Sequence, residues 1–164
     1  MEKEIEKTTN ENALVVASTE LNAQIFEGES KVTKATSLDL TDDEQADMLL
    51  NAMSDVDYKL NDEVGKVLEV IGHFAQEIPV ETINEETGEV LIRKKHTLML
   101  FTKDGKSHVT GSNACFMSYS DIISIKGTPT VERPLFIEPV KVDAKEKGHT
   151  YLKLKIAKNP NDKK

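Results

Sequence analysis

The chain has 164 residues, 38% of them hydrophobic, with 21 Lys and Arg against 29 Asp and Glu and a single cysteine. That length supports one domain with tails, the lone Cys115 excludes an intramolecular disulfide framework, and no run approaches the roughly 18 apolar residues of a membrane helix. The charged start Met1-Glu-Lys-Glu is followed by no apolar stretch of the signal-peptide kind, so the expectation is a soluble, cytoplasmic protein.

The net charge of −8 hides a division. Residues 1–65 carry 5 Lys and 16 acids, a net of −11, whereas residues 66–164 carry 16 Lys and Arg and 13 acids, a net of +3. The back half is therefore not repelled from phosphate by its own composition, although it is only weakly basic.

In chain order, residues 1–36 read as a flexible acidic tail, because their short apolar groups bury too little area to offset ordering. Within it, Leu14-Val15-Val16 can add a strand to a neighbour's exposed sheet edge. Thr41 followed by Glu44 reads as a helix start, and Met48, Leu49, Ala52 and Met53 make an apolar stripe at helical spacing. A helix is expected over residues 42–53, packed on the rest of the domain. From residue 64 the pattern turns to strands, which together span 64–157. Lys66–Ile78 is the first, with Gly72 at a bend or bulge. Asn84–Glu89 is a turn, and it implies a long exposed hairpin to the second strand, Val90–Thr102. Asp104-Gly105 turns into a short third strand, Lys106–Thr110. Ser112 or Asn113 caps a helix over Asn113–Ile125, buried through Phe116, Tyr119, Ile122 and Ile123 and stopped by Gly127. Leu135–Val142, with Pro139 at an edge or bulge, and Thr150–Ile156 are the closing strands, and residues 159–164 are a polar tail.

The order strand, strand, strand, helix, strand, strand is that of a five-stranded Greek-key barrel with a helix between strands 3 and 4, the OB-fold. The expected fold is thus mainly β: an OB-like domain over residues 37–158 with an N-terminal helix and a flexible tail. Such barrels act through a surface. In the last strand, Leu152, Leu154 and Ile156 alternate with Tyr151, Lys153 and Lys155, and the latter three suit a single strand, ammonium groups following phosphates and a ring stacking on a base. They also suit a solvated face that protects an edge. Arg93 and Lys95 share a strand face with Phe101, which is either a stacking ring or a core residue. Lys103 and Lys106 flank a turn and can extend a basic rim.

Catalytic and metal readings find little support. The histidines His73, His96, His108 and His149 show no ligand spacing, Cys115 has the look of a packing residue, and no Gly-Lys-Ser/Thr phosphate loop exists. No enzyme and no cofactor are expected.

Residues Asn61–Ile156 resemble single-stranded DNA-binding proteins of Gram-positive phages and conjugative elements. The likeness lies in Val67-Leu68-Glu69-Val70, the Asn84–Glu89 turn, Lys103-Asp104-Gly105, Gly127-Thr128-Pro129-Thr130, Pro134-Leu135 and the last strand after Gly148. It implies an OB-like barrel that coats single-stranded DNA without sequence preference and without a cofactor during phage or plasmid replication in a bacterial host cell. Relatives often carry an aromatic residue after the Pro-Thr pair, where this chain has Val131. Self-association is a further expectation, as is contact with replication proteins through the acidic front. The alternative is a non-enzymatic interaction module that binds a host or replication protein through that acidic region.

Overall fold

The computed structural model describes residues 33–146 and 148–162. The Leu14-Val15-Val16 segment, most of the expected tail, Lys147 and the last two lysines lie outside them. The elements in order are β1 (Thr33–Thr36), α1 (Asp43–Ser54), β2 (Tyr58–Lys59), a 3-10 turn (Leu60–Glu63), β3 (Leu68–Ile83), β4 (Val90–Thr102), β5 (Ser107–Thr110), α2 (Asn113–Lys126), β6 (Leu135–Asp143) and β7 (Thr150–Ile156). The protein is mainly β. Its strands form one sheet curled into a half barrel, in the order β2-β5-β4-β3-β6-β7, with β1 paired to β3 off that path.

Among the described residues the sheet has seven strands, two more than the five expected, because β1 and β2 were not legible as strands. Thr33–Thr36, expected in the tail, pairs antiparallel with Phe74–Glu77. Its end is tied to β3 by side chains: Thr36 Oγ1 donates to the His73 carbonyl at 2.9 Å, and the His73 N–H donates to Ser37 Oγ at 2.9 Å. β2 is set beside β5 by Asp57, which accepts from the Ser107 N–H at 2.9 Å. That bond holds the Asp57 carboxyl below its usual range.

β3 is the spine. One edge pairs with β4 along its length; the other is shared, Leu68–Val70 with β6 and Phe74–Glu77 with β1. The register slips between Val70 and Gly72, which is the bulge that bends the strand. Gly72 has a second reason to lack a side chain: a Cβ there would lie 2.5 Å from Leu38 Cδ2.

Both faces of the sheet's centre are covered. Inside the curl, Val70, Leu98, Leu100, Leu135, Ile137, Leu152 and Leu154 pack against Phe116, Tyr119 and Ile123 of α2. Outside, Ile71, Phe74, Met99 and Phe101 lie under Leu38, Leu49 and Ala52, so α1 packs on the barrel's outer face. The cap of α1 is Asp42, not Thr41: its carboxylate accepts from the Glu44 N–H at 3.0 Å, while Thr41 is held by Asp39. Ser112 caps α2, and Gly127 ends it at φ +88°, a conformation that favours glycine.

Ser112 and Ser118 also close the barrel. Ser112 Oγ donates to the Leu152 carbonyl at 3.1 Å, and Ser118 Oγ accepts from the Leu154 N–H at 3.0 Å. The helix thus satisfies the outer edge of β7 where a strand partner is absent among the described residues. Because the Leu154 N–H points to α2, its partner Pro139 occupies a pair that exchanges no bonds with β7. The missing proline donor therefore costs nothing there.

Beyond Glu77 the β3–β4 ribbon runs on as a two-stranded arm to Ile83 and Val90, five residues further along β3 than the Ile78 expected. Ile83, Val90 and Ile92 are exposed on it.

Candidate nucleic-acid interface

Strand register decides which candidate side chains meet. In β6–β7, Tyr151 lies opposite Val142, Lys153 opposite Val140 and Lys155 opposite Glu138, each pair on the outer face. The row continues inward, since Glu69 of β3 lies opposite Phe136 of β6. Lys103 then closes on Glu69 at 3.6 Å. The result is a bare band on the outside of the barrel: Tyr151 (41% exposed), Lys153, Lys155, half-buried Phe136 and Lys103. Leu152 and Leu154 point inward as expected, but Ile156 at the strand end is exposed.

The lysines of this band are not equivalent. Lys155 Nζ is 3.9 Å from Glu138 Oε1, and Lys103 is paired with Glu69, so a phosphate must compete with a carboxylate at both. Lys153 has no acidic partner among the described residues.

The other candidates separate. Arg93 and Lys95 lie on the arm, opposite Val80 and Ile78. They are exposed but beyond the part of the outer face that α1 covers. Lys106 opens onto a different groove from Lys103, one lined by Glu44, Asp47, Asp55 and Asp57, so it does not extend a basic rim. Phe101 is a correction. It is fully buried beneath Leu49 and Ala52 and offers no face to a base. The alternation that put it beside Arg93 and Lys95 is real, but α1 covers that end of the strand.

Two aromatic residues were missed. Phe136 had a signal, since Leu135 and Ile137 on either side are buried and alternation turns Phe136 outward. Tyr58 had none. It stacks on His108, with ring centroids 5.2 Å apart and planes at 25°, and this partner is distant in the chain. The two rings border a cavity of about 400 Å³ that also includes Glu63, Lys66, Leu68, Thr102, Lys103 and Asp104. Lys66 Nζ reaches Glu63 Oε2 at 3.3 Å across it. His108 is buried, which pushes its imidazole below the ordinary histidine value.

Of the remaining histidines, His149 is exposed, whereas His73 and His96 are structural in geometry. His73 Nδ1 hydrogen-bonds the Tyr119 hydroxyl at 2.9 Å in the core, and burial lowers its pKa to about 3. His96 lies against Phe116, 3.4 Å from Glu77. Cys115 is buried, and burial raises its thiol. No group of three or more His, Cys, Asp or Glu able to hold a metal exists among the described residues. No helix among them is long and apolar enough to cross a membrane.

A curled, mainly β sheet with an open band of lysines and rings has the features general to proteins that bind single strands: a positive surface with aromatic faces. Residues 27–157 match the model of the phage single-stranded DNA-binding protein family of the Phi29 type. The chain belongs to that family, and single-stranded DNA is the family's ligand. The match begins well before the Asn61 at which the resemblance was legible, and so takes in β1 and α1. No curated protein and no solved structure matches the chain.

Proposed function

We propose that the protein coats single-stranded DNA without sequence preference and protects it during phage replication, the strand running along the outer face of β6–β7. In this reading the fold is an OB-like barrel whose five strands are β3, β4, β5, β6 and β7, with α2 between the third and fourth. The observation that carries it is the β6–β7 register, which aligns Tyr151, Lys153 and Lys155 on one rigid, uncovered face. Lys153 and Lys155 follow the phosphates, Tyr151 and Phe136 offer ring faces, and Lys103 extends the band toward the end of the barrel. Arg93 and Lys95 meet the strand only where it reaches the arm. Binding needs no cofactor, because ion pairing and stacking supply the free energy. Contacts between copies along one strand belong to the same reading.

The test is a titration of labelled oligo-dT and of duplex of equal length at two salt concentrations. Tighter binding of the single strand that weakens with salt supports the proposal. Binding of neither leaves an interaction module acting through the acidic front as the better account.

A further inference from the structure

Beyond Glu77 the β3–β4 arm is a ribbon of two strands, with no third strand paired to it among the described residues. Such a ribbon is marginal in water unless one of its faces is packed. Register puts Ile83 opposite Val90, and Ile92 opposite Glu81 two residues along, so three apolar side chains and one carboxylate share a face. Ile83, Val90 and Ile92 are 68%, 58% and 63% exposed. The arm is also acidic: from Pro79 to Ile92 it carries Glu81, Glu85, Glu86 and Glu89, all exposed, and no Lys or Arg. A surface that fits it is apolar, cationic and open. Leu50 and Met53 are exposed on α1, but that helix carries Asp43, Glu44 and Asp47 and repels the arm. Ile125 is exposed on α2, with Asp121 one turn before it and Lys126 beside it, and these charges cancel. The outer face of β6–β7 joins Tyr151 and half-buried Val140 and Val142 to Lys153 and Lys155, and Lys153 has no acidic partner among the described residues.

We propose that without DNA the arm of one copy lies across the β6–β7 band of a second copy, Glu81 and the turn glutamates meeting Lys153 and Lys155, the apolar face meeting Tyr151 and the two valines. The band is another copy's and not the arm's own. β6 pairs with β3 at Leu68–Val70, and the arm starts at Ile78, roughly 26 Å further along a continuous strand. Exposed ion pairs are individually weak, so the apolar face supplies the attraction and the charges choose the partner surface. Arm and band are different patches, so each contact leaves a free arm and a free band for further copies. Carboxylates of the arm stand where phosphates would, and a second copy and a single strand therefore compete for one face. The protein keeps its strand-binding surface covered by self-contact and uncovers it when a strand arrives. The inference rests on the reading that this face binds single-stranded DNA.

Exchanging charge between arm and band tests the contact. In sedimentation at low salt the full chain should gain mass as its concentration rises, and an excess of short oligo-dT should return it to one copy per oligomer. An arm variant, Glu81→Lys with Glu85→Lys and Glu86→Lys, should sediment as single chains, and so should a band variant, Lys153→Glu with Lys155→Glu. In each, arm and band carry charge of one sign. Their equimolar mixture should associate again, because every reversed patch then meets an opposite one, and damaged chains do not produce that recovery. Ile83→Ser with Ile92→Ser, at exposed positions, should also stay single while binding oligo-dT. A wild type that is single at every concentration overturns the contact, as does a mixture of folded variants that stays apart. Association that survives saturating oligo-dT overturns it too. If a charge variant fails to fold, the serine variant decides: association lost upholds the contact, association kept rejects it. If oligo-dT does not bind at all, the reading of the function fails, and the charge-exchange mixture still decides the contact.

Discussion

The outer face of this sheet has two fates. Over β3 and β4 it carries Ile71, Phe74, Met99 and Phe101 and is sealed by α1. Over β6 and β7 it carries Tyr151, Lys153 and Lys155 and is open. Alternation along the strands is equally regular in both places, so alternation alone does not tell a covered face from an open one. What separates them is a helix contributed by residues far upstream, and it turns a ring that could have served DNA into a ring that holds the fold.

Four measurements break or sharpen that contrast. The largest effect belongs to the covered face. Phe101→Ala should cost about 3–5 kcal/mol of stability in chemical denaturation, while the folded fraction binds oligo-dT as before. A loss of affinity with unchanged stability would return Phe101 to the binding surface.

Next comes the interior beneath. His73 has its pKa lowered to about 3 by burial, so it is neutral when folded and protonates on unfolding below about pH 6.5. Its contribution is constant above that value, and stability is lost as pH falls from there toward 3. Between pH 7 and 5 the loss should be about 2 kcal/mol, from roughly 1.4 kcal/mol per pH unit. His108 is shifted in the same direction. Urea melts of His73→Gln, which keeps a partner for the Tyr119 hydroxyl, should show a shallower pH dependence. An unaltered slope would remove His73 as its source.

On the open face, Tyr151→Ala should weaken oligo-dT binding by about 1–3 kcal/mol, the value of a stacked base, without lowering the melting temperature. No change in affinity would move the strand off β7. The finest comparison is between two lysines on one strand. Lys153, without an acidic partner among the described residues, should contribute more to binding than Lys155, which Glu138 holds. Replacing both by Ala should reduce the salt slope by about 1.4, near 0.7 for each phosphate contact on a single strand. Salt titrations of Lys153→Ala and Lys155→Ala read the inequality directly, and equal losses would mean that the Glu138 pair opens at no cost when DNA arrives.

Much of the fold was legible from residues alone. The bounds of β4 and β7 match the expectation, and α1, α2, β5 and β6 differ from it by about one residue. Strong β-branched runs, turn glycines and cap residues are local signals, and local geometry answers to them. The two short strands β1 and β2 were not legible, since four and two residues of mixed polarity form strands only when β3 and β5 offer an edge. The placement of the candidate side chains was legible in part. That Tyr151, Lys153 and Lys155 share one face of β7 came out of the alternation, and the outward turn of Phe136 was within its reach. The acidic groove beside Lys106 and the burial of Phe101 were not legible, because α1 lies against one and over the other.

By itself, the sequence determined which segments become strands, which side of β7 is apolar, and that the back half of the chain carries the positive charge; these follow from period-2 patterning and composition, which act over a few residues. Only the tertiary structure decided that Phe101 is interior, that Lys155 is paired with Glu138 while Lys153 has no acidic partner among the described residues, and that Tyr58 meets His108 beside a cavity lined with charged groups. The reason is physical. Burial, ion pairing and ring stacking depend on groups that approach within a few ångströms across tens of residues of chain, and only the packed sheet with its two helices brings them there.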